Sequence, residues 1–229
     1  MAVTSATPLR AAEPPRTSLS PVAEQRVVIA LLVGYVVCFA LLGVEIDQAF
    51  GLPAHPLFLH VPVILVPVLV LATIAVVAKP AWRERYGLAW GTLAVAALAG
   101  TVLAAGAGDA FLEERRFVPN VLHEHQEAGE TLRLLMFIFV ALVLLTVVRD
   151  WRARRGSPIG SHAVGVGLSV VVLAVAAASG FFVARAGHLG SKSTWGEESQ
   201  EAGERGAAPP GFAPEGEEGE GGEQGEGGP

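Results

Sequence analysis

Five long apolar stretches divide the chain, at about Val27 to Val44, Leu57 to Ala78, Gly87 to Gly108, Gln126 to Val148 and Val164 to Ala186. Each approaches the ~20 residues a helix needs to cross a ~30 Å hydrocarbon core. The pattern predicts an all-α integral membrane protein: one N-terminal transmembrane helix over 27–48, then a four-helix membrane domain over 50–190. The fourth stretch is the least uniform, being uninterrupted only from Leu134 to Val148. It spans if its helix begins near Gln126 and Arg133 snorkels outward. The first stretch is too long for a signal-peptide core and no small-residue cleavage site follows it, so it is expected to stay in the mature protein.

Polar residues break the stretches in a consistent way. Lys79, Arg83 and Arg85 follow the second, and Arg149, Arg152, Arg154 and Arg155 follow the fourth. Arg10, Arg16 and Arg26 precede the first. The other connections hold Glu45, Asp47, Asp109, Glu113, Glu114, Glu124, Glu127 and Glu130, with Arg115, Arg116 and Arg133 as their cations. Positive charge collects on the cytoplasmic side, which predicts a cytoplasmic N-terminus and an external C-terminus in a plasma membrane. Trp82, Tyr86, Trp90 and Trp151 are then expected as an inner aromatic belt.

Small residues recur at a spacing of four in the third stretch (Thr92, Ala96, Gly100, Ala104, Gly108) and the fifth (Ala176, Gly180, Ala184), a pattern for close helix packing. The next rung of the fifth is His188, which the spacing places on the packed face. Pro56 suits a helix start, and Pro62 and Pro67 are expected to kink the helix beside His60.

Composition agrees: 52% of residues are hydrophobic and 17% charged, with a mean hydropathy of +0.49. The net charge of -6 is misleading, because ten glutamates fall in the last 33 residues. Segments 1–26 and 191–229 read as disordered tails, the second Gly/Glu-rich and acidic. No basic patch of the nucleic-acid-binding kind is present. A single cysteine, Cys38, excludes an intrachain disulfide or a cysteine-based metal site.

The candidate chemistry lies in the histidines. His55 and His60 open the second helix, His123 and His125 open the fourth, and His188 closes the fifth, all at one membrane face. His162 alone falls at the other. Asp109 and Glu113 end the third helix in the same layer. Imidazoles from several helices are how bundles build cofactor sites, with carboxylates orienting their ring N–H groups. His123 and His125 are two residues apart, so on a helix only one of them faces the site. HExxH, CxxC, GxSxG and a phosphate-binding glycine loop are absent, and no nucleophile–base pair stands out.

Gly51-Leu52-Pro53-Ala54-His55-Pro56-Leu57-Phe58-Leu59-His60-Val61-Pro62 resembles the HPLxxHxP opening of the bacterial membrane family called domain of unknown function 2231. Glu124-His125-Gln126-Glu127-Ala128-Gly129-Glu130 and Ala186-Gly187-His188-Leu189-Gly190 resemble its helix-initial histidine and closing GHxG segments, in the same order. The resemblance covers about Phe50 to Gly196. It implies a four-helix membrane unit, no assigned reaction, and His55, His60, His125 and His188 as the matching histidines. Two of His60, His125 and His188 are the expected axial ligands of a b-type haem exchanging electrons with quinol or an external redox protein. The competing readings are a Zn, Cu or Fe site of His60, His125 and His188 with Asp109 or Glu113, for binding or transport, and a non-catalytic accessory subunit of a membrane complex.

Overall fold

A computed structural model describes residues 19–113 and 120–196. Most of both tails, with Arg10, Arg16, Arg115 and Arg116, lies outside the described residues. Among the described residues five helices are long and apolar enough to cross a membrane: α1 (Pro21–Ala40), α2 (Ala54–Ala78), α3 (Pro80–Glu113), α4 (Asn120–Arg154) and α5 (His162–Trp195). Helices are the solution that satisfies every backbone polar group within one segment where no water reaches. α3 and α4 extend beyond the apolar stretches at both ends, and α5 chiefly at its C-terminal end.

Local chemistry sets the boundaries. Ser20 caps α1 by accepting from the Ala23 amide, with Pro21 at the first helical position. This start lies inside the segment read as tail. Ser161 caps α5 by accepting from Val164. α2 runs unbroken through Pro62 and Pro67. After α1 a 3-10 turn at Leu41–Gly43 leads into two short antiparallel strands, β1 (Gln48–Ala49) and β2 (Leu52–Pro53).

α2, α3, α4 and α5 form a bundle in which each helix packs on the next and α5 closes back on α2. α2 and α4 are therefore one diagonal, α3 and α5 the other. α1 packs outside, on α3 and α4, and fixes itself through the Tyr35 hydroxyl, which donates to the Phe137 carbonyl at 3.1 Å. Phe139, Leu69, Leu98 and Met136 are the largest of the side chains that are completely buried in the core. Gly100 lets Val61 of α2 lie directly on the α3 backbone; a Cβ there would overlap it.

The small-residue ladders are only partly what the spacing suggests. Thr92 and Ala96 are exposed, while Gly100 and Ala104 are buried. In α5 the buried row is Val172, Ala176, Ser179, Val183, Ala186 and Leu189, and Ala184 and His188 are exposed. Four residues turn a helix by more than one revolution, so an all-fours ladder drifts off the contact; a mixture of threes and fours holds the seam. His188 consequently sits off the packed face. Trp90 also leaves the expected belt: it is buried, and its indole N–H donates to Thr73 Oγ1 at 3.0 Å between α2 and α3. Trp82 and Tyr86 remain exposed.

One end of the bundle is tied by charge. Arg83 of α3 meets Asp150 of α4 at 2.8 Å, and Arg154 of α4 meets Glu24 of α1. The opposite end carries the histidines.

Candidate functional site

His55 and His125 each lie in the first two turns of a helix, α2 and α4, 24 residues from Lys79 and Arg149 respectively. At ~1.5 Å rise per residue both stand about 36 Å from the arginine end. They reach one depth from diagonally opposite helices, and their rings meet at 6.0 Å between centroids, with planes at 83°.

The two rings are held by the same device. His55 Nδ1 is 2.9 Å from the Ala104 carbonyl of α3, and His125 Nδ1 is 2.8 Å from the Ala186 carbonyl of α5. A carbonyl only accepts, so each neutral imidazole carries its proton on Nδ1 and leaves Nε2 a lone pair. Four residues beyond each carbonyl stands a glycine. A Cβ at Gly108 would lie 2.9 Å from the His55 ring, and one at Gly190 3.1 Å from the His125 ring. Side chains on a helix lean back toward its N-terminus, so a larger residue at either position would cover the carbonyl below it. Ala104–Gly108 and Ala186–Gly190 are thus matching saddles, one on each helix of the other diagonal. Phe111 stacks on the far side of His55, centroids 6.1 Å apart and planes at 14°.

Asp109 follows Gly108 and takes a 3.3 Å ion pair from Arg133 of α4. The Arg133 side chain leans toward the start of α4, which is the histidine end, and so ends on a carboxylate. Beside Phe111 a cleft of about 80 Å³ is lined by Asp47, Gln48, Pro53 and Ala110.

The other expected site residues lie elsewhere. His60 is exposed on α2, its Nδ1 2.8 Å from the Pro56 carbonyl of its own helix. His188, His123 and Glu113 are exposed. Of the two neighbouring histidines at the start of α4, His125 is the one that faces inward. Among the described residues no group of three or more His, Cys, Asp or Glu side chains is arranged to hold a metal ion. Gly108, Gly190 and Phe111 were not singled out as site residues from sequence. The second glycine of the GHxG segment was the available signal, and it was overshadowed by the histidine beside it.

Searches among curated proteins and among solved structures found no match. Over residues 51–200, more than half of its length, the chain matches the family model described as predicted membrane protein (DUF2231), and it belongs to that family.

Proposed function

We propose that this membrane protein holds a b-type haem between His55 and His125 and exchanges single electrons with quinol or an external redox partner. The observation that carries the reading is the pair itself: two imidazoles from diagonal helices, each anchored through Nδ1–H with Nε2 left to bind. Such anchoring is how protein ligands to a metal are fixed in tautomer and orientation. The two rings lie 6.0 Å apart between centroids, and His55 and His125 would hold the iron through their Nε2 atoms. Two is also the ligand count of a bis-histidine haem, and it falls short of the three or four protein ligands of a zinc site. When bound, the haem supplies reversible one-electron chemistry, its potential set by burial and by hydrogen bonds to the ligands. Phe111 stacks on the His55 ring and would cover that face of the proposed ligand. Lys79, Arg83, Arg85, Arg149, Arg152, Arg154 and Arg155 support an arginine end in the cytoplasm and a histidine end outside, in a bacterial-type plasma membrane.

The test is the absorption spectrum of protein purified from haem-replete cells. A Soret band, lost in His55→Ala and His125→Ala and kept in His60→Ala and His188→Ala, is expected. Its absence from the unaltered protein ends the haem reading. Stoichiometric zinc, copper or iron without that band, lost with His55, would move the assignment to a single transition-metal ion.

A further inference from the structure

His60 and His188 do not join the pair, yet exposed ionisable groups at the edge of the hydrocarbon call for an explanation. Val70 of α2 packs toward Gly180 of α5, 3.6 Å from where its Cβ would stand. Counted from that contact at ~1.5 Å per residue, His60 lies about 15 Å, His188 about 12 Å and Arg185 about 8 Å toward the histidine end. The two helices run in opposite directions, so at 3.6 residues per turn His60 and His188 are each turned roughly 80° from the contact, to the same side. Both are exposed, and so are Arg185 and Lys192. Arg185, His188 and Lys192 follow one another by three and four residues and share one face of α5. Neither Arg185 nor Lys192 forms an ion pair with another described residue. α1 covers α3 and α4, leaving this side of the α2–α5 seam to the lipid. Gly187 has open space where a side chain would stand.

We propose that this exposed basic face of α5, beside the α2–α5 seam, is a binding site for the headgroup of an anionic phospholipid in the leaflet at the histidine end. Arg185 and Lys192 meet the phosphate, with His188 between them. His60, its Nδ1–H given to Pro56, presents Nε2 as an acceptor for a headgroup hydroxyl. Clustered cationic side chains at headgroup depth have the chemistry that attracts such lipids. The site stands apart from the His55–His125 pair and does not depend on what that pair binds.

The test uses the full chain in phosphatidylcholine nanodiscs containing a little photoreactive phosphatidylglycerol, with crosslinked peptides mapped by mass spectrometry. Labelling of 183–192 by phosphatidylglycerol is expected to exceed that by photoreactive phosphatidylcholine by at least about fivefold, the factor one basic residue near an anionic surface is worth. The double variant R185Q/K192Q is expected to remove the preference while leaving labelling near Arg83 and Arg85 unchanged, which also checks folding. Equal labelling by the two lipids in the unaltered protein overturns the proposal whatever the variants do, as does a preference that survives R185Q/K192Q.

Discussion

Gly108 and Gly190 perform one task on two helices: each exposes a backbone carbonyl and gives an imidazole a flat seat above it. The seat decides the tautomer, and the tautomer decides which nitrogen can bind. On the proposed haem reading, Gly108→Val and Gly190→Val act on the site while leaving both imidazoles in the chain. Displacing an outer partner of a metal ligand typically costs about 10–100-fold in affinity, and a loss of that size is expected when haem or metal loading is titrated in either variant, with helix content unchanged by circular dichroism. Loading equal to that of the unaltered protein would mean that the saddles only pack. His55→Ala and His125→Ala should abolish loading, whereas His60→Ala should leave it, since His60 is bonded within its own helix and faces away.

Helices meet through a few polar contacts placed among apolar ones. Trp90 to Thr73 joins α2 to α3 in the core, and Arg133 to Asp109 joins α4 to α3 near the site. Hydrogen bonds between membrane helices average about 0.6 kcal/mol and reach about 1.7. Trp90→Phe should lower unfolding stability by about that much, and Trp82→Phe, exposed at the arginine end, should change it little; equal effects from the two would contradict the placement of Trp90. The ion pair is partly exposed, so its coupling is that of a screened pair, about 0.5–1 kcal/mol. A double-mutant cycle of Asp109→Asn and Arg133→Gln measures it, and a coupling near zero would show that Arg133 reaches water unaided.

For the whole molecule the consequential feature is the arrangement of two helix pairs, α2–α3 and α4–α5. In each, a histidine near the start of the first helix bonds a carbonyl near the end of the second. The pairing sets both rings on the bundle's axis at one end and gathers arginines at the other. Orientation can be read with single cysteines on a Cys38→Ser background, Cys38 being buried and the chain's single cysteine. Gln48→Cys should react with an impermeant maleimide in intact cells, and Ser157→Cys only after permeabilisation. The reverse pattern would turn the protein over.

Much of this was legible along the chain. The spans, their number and the separation of charge to two ends follow from local composition, because a bilayer imposes length and apolarity on each helix separately. The depth of the histidines followed as well, since depth is only distance along a helix. Which side of the helix each faces did not. Helix phase is set by where the neighbours pack, and a ladder counted in fours drifts away from a seam that mixes threes and fours, which is why His188 was expected inside and lies outside. Likewise His55 and His125 are 70 residues apart with no local signal linking them. Their meeting depends on α2 and α4 being diagonal partners, and on two glycines that leave room for the rings. The order of residues along each helix determined the layer in which the histidines lie; the packing of four helices chose the pair within it.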